Sequence, residues 1–267
     1  TLAGGFASLA RFSERDGCQV VLPDAPGPAA GRAPAGAVAA SAVPPDPFGP
    51  LPVPGATPRL QAALERALPR PGDARHARAV LVLQHGRLVG ERYADGIGPD
   101  TPLLGFSASK SVTNALVGVL VQQGRLAVDR PGVLPAWSDP ADPRHAITLE
   151  HLLRQTTGLD LVQDNSGFDA SARIMFSVAD KAGAAAAAPL AAAPGQRWAY
   201  ADTNYLLVSR VLRNAVGGDA AGVQAFMQTA LFGPAGMRRA RMDLDATGTG
   251  MGAAQVTATA RDWARLG

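Results

Sequence analysis

Apolar and polar positions alternate in two distinct rhythms along this chain, and the change from one to the other divides it. Residues 77–94, ARAVLVLQHGRLVGERYA, carry two short β-branched, apolar runs around His85-Gly86, which predicts a β-hairpin. Just before it, RLQAALERAL has the spacing of a short amphipathic helix. From Ser107 to about residue 240 the period becomes helical, in SKSVTNALVGVLVQQG, ITLEHLLRQTTG, ARIMFSVADKAGAAAAA, NYLLVSRVLRNAVGG and AGVQAFMQTALFGPAG, with Gly or Pro closing most of them. In the first of these, Val112, Ala115, Leu116, Val117, Val119, Leu120 and Val121 cover nearly every side, which predicts a fully buried central helix. The alanine run from Ala182 to Ala193 is broken by Pro189 and reads as a helix end. A last helical stretch, ATARDWARLG, closes the chain.

Residues 24–59 follow neither rhythm; crowded with Pro, Ala and Gly, they read as an extended linker or surface arm. The pattern therefore partitions into an N-terminal segment and linker (1–59), a helix and hairpin that begin an α/β domain (60–106), a mainly helical domain (107–245), and the start of a return to the α/β domain (246–267).

Composition narrows the function classes. With 267 residues and 47% apolar content there is ample material for a core. The net charge of +3 is spread out, and the densest basic group, Arg238, Arg239 and Arg241, is followed by Asp243 and Asp245, so a nucleic-acid surface is not indicated. No apolar run reaches the roughly 18 residues of a membrane span. The lone cysteine, Cys18, excludes an intramolecular disulfide and a zinc cluster. His76, His85, His145 and His151 do not pair at metal-ligand spacing, and GTGMG at 248–252 lacks the spacing and lysine of a phosphate loop, so neither metal nor nucleotide cofactor is expected. GFSAS is not the G-x-S-x-G nucleophile elbow.

One residue stands out against this background. The chain holds 23 arginines and only two lysines, and one of the two, Lys110, lies three residues after Ser107 at the head of the first long helix. That spacing puts amine and hydroxyl on one helix face. Burial and the positive helix end both disfavour an ammonium, so an amine there can act as a base, whereas a guanidinium stays charged. An isolated S-x-x-K is ordinarily just a helix cap beside a surface lysine. Here it has company: PGQRWAYADTNYLLVSRVL sets Tyr200 after a Pro-Gly turn and before a helix, where a phenol can relay a proton. The polar segment DLVQDNSGFD, residues 160–169, reads equally as a lid or as an ordinary surface loop.

Taken together, FSASKSVTNALVG, ITLEHLLRQTTGL, PGQRWAYADTN and ATARDWARLG resemble the serine hydrolases related to class C β-lactamases, D-alanyl-D-alanine carboxypeptidases and 6-aminohexanoate-dimer hydrolases, over roughly residues 78–267. RHAITLEHLLRQTTGLD and TATARDWARLG are nearest in character to the 6-aminohexanoate-dimer hydrolase and carboxylesterase branch. The resemblance implies an α/β (α+β) fold of the β-lactamase/transpeptidase type: a mostly antiparallel sheet flanked by helices, an all-helical domain, and a cleft between them. It implies Ser107 as nucleophile, with its backbone N–H as one oxyanion donor, Lys110 as base and Tyr200 as proton shuttle. Where lactamase and carboxypeptidase members have asparagine two residues after the tyrosine, this chain has Asp202, which either holds Lys110 or meets the substrate. The third family element, a K-T-G-like or H-x-G-like strand with the second oxyanion donor, is expected beyond residue 267, supplied by a C-terminal segment or a second polypeptide.

The expected activity is cofactor-free hydrolysis of a small-molecule ester or amide through an acyl-enzyme. A β-lactamase or D-alanyl-D-alanine carboxypeptidase is the alternative within this chemistry, and a non-catalytic penicillin-binding or sensor protein the alternative outside it.

Overall fold

The computed structural model describes residues 9–13, 17–21, 57–68 and 76–267. Most of the predicted linker, up to residue 56, lies outside the described residues, as do the side chains of β1 (Leu9–Ser13) and β2 (Gly17–Val21). Those two strands pair antiparallel, Leu9 opposite Val21. The chain divides into two compact units. One comprises, among described residues, β1, β2, 105–231 and 241–256; the other comprises 57–68, 76–104, 232–240 and 257–267.

The second unit starts with α1 (Pro58–Ala67), capped by the Thr57 hydroxyl, which accepts from Leu60 N–H at 3.2 Å. The predicted hairpin follows as β3 (Ala79–Gln84) and β4 (Arg87–Tyr93), antiparallel with a bulge at Val82/Leu83. Its two-residue turn has positive φ at both His85 (52°) and Gly86 (72°), the twist that suits a tight hairpin. Helix α1 lies against β4 at Gly90, where a Cβ would sit 2.8 Å from Leu64 Cδ1. Strand β5 (Pro102–Leu104) pairs antiparallel with β7 (Val256–Thr259), and α8 (Ala260–Leu266) follows directly. Arg261 of α8 donates to both carboxylate oxygens of the buried Glu91, at 2.6 and 3.0 Å, and half-buried Trp263 donates its indole N–H to Leu103 O. A buried carboxylate is tolerable only with such a partner.

The first unit holds the larger core. After a 3₁₀ turn (Phe106–Ala108) comes α2 (Ser109–Gln122), then α3 (Leu149–Leu153), α4 (Ala170–Ser177), α5 (Lys181–Ala186), α6 (Asp202–Ala215) and α7 (Ala220–Met227), which runs into a π turn (Gln228–Phe232); β6 (Arg241–Met242) precedes the return segment. Helix α6 is central, packed on α2, α3, α4, α5 and α7, with Leu206, Leu207 and Val208 within 1% of full burial. Trp137, fully buried, donates to Ala186 O and ties the end of α5 to the loop before α3.

Three expectations need correction. Helix α2 is not buried all round: Val112, Leu116, Val117 and Leu120 face the core, while Ser111, Asn114, Gly118 and Val121 form an exposed stripe, the ordinary outcome for a helix at the edge of a unit. ARIMFSVADKAGAAAAA is two helices, because Val178 is extended and the Asp180 carboxylate caps a new start by accepting from Gly183 N–H. Ser107 lies in the 3₁₀ turn that leads into α2, one turn ahead of the α-helix proper.

Candidate active site

The first unit brings Ser107, Lys110, Tyr200 and Asp202 together. Ser107 is exposed and Lys110 is 9% exposed, so the hydroxyl faces out while the amine sits beneath it. Ser107 Oγ is 2.7 Å from Tyr200 Oη and 3.3 Å from Lys110 Nζ. Nζ also donates to Asp202 Oδ1 at 2.5 Å and to Ala253 O at 2.8 Å, and it stands 4.9 Å from the centroid of the Tyr200 ring. Tyr200 Oη is 3.3 Å from Asp202 Oδ1 as well. A nearby buried phenol, Tyr205, is pushed up in pKa, first by burial and then by Tyr200.

Local sequence explains each position. Phe106 adopts φ +44°, costly for a residue with a Cβ, at the head of the 3₁₀ turn that carries Ser107. Behind it, buried Ser109 accepts from Val256 N–H at 3.0 Å, and Gly105 N–H bonds Val256 O at 2.8 Å. The Tyr200 loop is fixed by the QTTG turn after α3. Gln155 Oε1 accepts from Ala201 N–H and from Asn204 Nδ2, Gln155 O accepts from Ala199 N–H, and Thr156 O accepts from Gly195 N–H. Gly158 permits this approach: a Cβ there would lie 2.1 Å from Ala192 O. His151, at the head of the same motif, has a local task in a capping box with Thr148.

Two contributors were not among the sequence candidates. Gln163, in the segment read as lid or loop, grips Asp202 from both sides: its Oε1 accepts from Asp202 N–H at 2.6 Å and its Nε2 donates to Asp202 Oδ2 at 3.1 Å. Ser171 Oγ donates to the same Oε1 and orients the amide. The other is Ala253, whose carbonyl reaches Lys110 because Gly252 lets the return segment press onto α2 and α6. A Cβ on Gly252 would fall 2.2 Å from Thr113 Oγ1 and 2.6 Å from Ser209 Oγ. GTGMG thus serves close backbone packing; Thr113 Oγ1 donates to Gly252 O at 3.0 Å.

Lys110 Nζ donates to three acceptors, Ser107 Oγ, Asp202 Oδ1 and Ala253 O, and forms an ion pair with the Asp202 carboxylate. Both carboxylate oxygens of Asp202 are then engaged, one by Lys110 and one by Gln163. Among the described residues no group of three or more His, Cys, Asp or Glu is placed to hold a metal ion, and no helix is long and apolar enough to cross a membrane.

A mixed α/β fold with a Ser-x-x-Lys helix and a facing tyrosine defines a protein class, and comparison agrees with it. A family model described as beta-lactamase matches residues 62–267, so the chain belongs to the beta-lactamase family. No curated protein matches the chain. Among solved structures it is similar to a Bacillus anthracis protein described as a 6-aminohexanoate-dimer hydrolase (20% identity, TM-score 0.59, 70% of this chain and 52% of that one). It is also similar to a penicillin-binding protein from Bacillus halodurans (20%, 0.56, 70% and 68%) and to a class C beta-lactamase from Rhodobacter sphaeroides (20%, 0.52, 70% and 58%). At this identity the likeness concerns the fold, which is of the β-lactamase/transpeptidase type. The chain spans about half the length of the first of these structures.

Proposed function

We propose that the protein is a serine hydrolase that cleaves an ester or amide through an acyl-enzyme, with Ser107 as nucleophile, Lys110 as base and Tyr200 as proton shuttle. The observation that carries this reading is the placement of Ser107 Oγ between Tyr200 Oη at 2.7 Å and Lys110 Nζ at 3.3 Å. Membership of the beta-lactamase family supports hydrolase chemistry in general.

In acylation, Ser107 Oγ bonds to the carbonyl carbon as its proton passes to Lys110 Nζ. Negative charge develops on the carbonyl oxygen, and the Ser107 N–H, in the first turn of the 3₁₀ segment where no intrahelical acceptor exists, can donate to it. The bond to the leaving group breaks as the Tyr200 hydroxyl gives it a proton. The proton held by Lys110 then restores the phenol by way of Asp202 Oδ1, which both groups contact. Deacylation repeats the sequence with water as nucleophile, releasing the carboxylic acid and regenerating the serine hydroxyl. Asp202 keeps Lys110 aimed at Ser107, and Gln163 keeps Asp202 in place.

The test is covalent labelling with a fluorophosphonate, alongside turnover of p-nitrophenyl esters, aminohexanoate amides and β-lactams. Labelling and turnover that Ser107→Ala both abolishes, with the fold retained by circular dichroism, are the expected result. Labelling at a different serine contradicts the assignment, and labelling of Ser107 without turnover of any of the three substrate classes points to a binding or sensor protein.

A further inference from the structure

From the surroundings of this site we infer the substrate class: an ester or amide whose acyl part is uncharged and extended, an aliphatic or aromatic chain laid along an aromatic edge beside Ser107. This rests on the serine-hydrolase reading above. Five aromatic side chains among the described residues are exposed, and four of them sit on segments that carry or brace the site. Phe106 (67% exposed) directly precedes Ser107, and Trp198 (67%) lies two residues before Tyr200, which is itself 37% exposed. Phe168 (86%) stands three residues before Ser171, the residue that orients Gln163, while the fifth, Phe176, lines a separate cavity with Lys181 and Leu244. Val162, also exposed, directly precedes Gln163.

Chain connectivity alone keeps Phe106 and Trp198 within about 8 Å, Cα to Cα, of a reacting residue. Aromatic side chains lose free energy by standing in water, and isolated exposure is common, but exposure concentrated on the segments of one site marks a binding surface. Polar substrates are less well served there. Lys110 and Asp202 are committed to each other, with side chains only 11% and 18% exposed. The charged side chains on segments 105–108, 162–168 and 197–200 are Asp164 and Arg197, of opposite sign, so these segments present no net charge to an ionic acyl group.

The experiment is a chain-length series, p-nitrophenyl acetate through butyrate and hexanoate to octanoate, run with fluorophosphonate labelling of Ser107 in parallel. Lengthening the chain beyond butyrate barely alters intrinsic ester reactivity, so the trend reports binding. A fully buried methylene is worth about fourfold and a half-buried one about twofold. The expected result is therefore a rise in kcat/KM of at least about tenfold from acetate to octanoate. In Trp198→Ser and Phe168→Ser the octanoate-to-acetate ratio should fall by about threefold or more each. A flat or falling series with Ser107 still labelled overturns the inference and leaves the hydrolase reading standing; the aromatic edge would then be a protein interface. Absence of both labelling and turnover overturns the two together.

Discussion

Lys110 is where the account is most exposed to test at the scale of single residues. If Lys110 takes the Ser107 proton, Lys110→Arg removes that acceptor because a guanidinium stays protonated, and ester hydrolysis should fall about a thousandfold, nearly as far as in Lys110→Ala. Retained activity in the arginine variant would reduce the lysine to an electrostatic prop. Gln163 acts through Asp202, so Gln163→Met, which keeps the volume and loses both hydrogen bonds, should lower kcat about tenfold or more with little change in KM. It should also disturb the pH profile of kcat, which a purely structural loss would not. The candidates Ser107, Lys110 and Tyr200 were legible in the sequence because lysine and tyrosine are rare in this chain and Lys110 follows Ser107 at motif spacing. Gln163 and Ala253 were not. Their contacts close across 39 and 143 residues, and a carbonyl oxygen carries no sequence signal at all.

At the scale of elements, the return segment over residues 250–253 and the start of α5 carry the most informative predictions. Gly252→Ala forces a Cβ into Thr113 and Ser209, so it should destabilise the protein by about 1–3 kcal/mol in urea melts and depress kcat as the Ala253 carbonyl moves off Lys110. Lys181 opens α5 almost fully buried, donating to Val178 O at 2.9 Å, and burial lowers its pKa despite the opposing pull of Asp245. The unfolded chain therefore holds this proton to higher pH than the folded one, so stability should rise with pH between the lowered value and the ordinary 10.5. Lys181→Met should lack that rise, which urea melts of both proteins from pH 7 to 10 would detect. The comparison separates it from Tyr93 and Tyr205, whose phenols burial pushes up and which act in the opposite direction near the top of the range. The hairpin and α6 were readable from periodicity. The break between α4 and α5 was not, since the apolar spacing continues through it and only the Asp180 cap announces the second start.

For the molecule as a whole, membership of the beta-lactamase family and the β-lactamase/transpeptidase-type fold stand on residues 62–267 and on solved structures of about 20% identity. The proposed activity rests on the constellation in the first unit. Four residues there come from three separate segments: the 3₁₀ turn and α2, the loop before α6, and the head of α6 itself. The first is held by the return segment, the second by the QTTG turn and the third by Gln163. Such preorganisation favours proton transfer over binding alone. The most direct measurement is rapid quench of the protein with a p-nitrophenyl ester, followed by peptide mass spectrometry. The account predicts an acyl adduct on Ser107 that forms faster than steady-state turnover and decays to free serine at a rate no slower than kcat. Turnover without any adduct on Ser107, or with the acyl group on another residue, would contradict it.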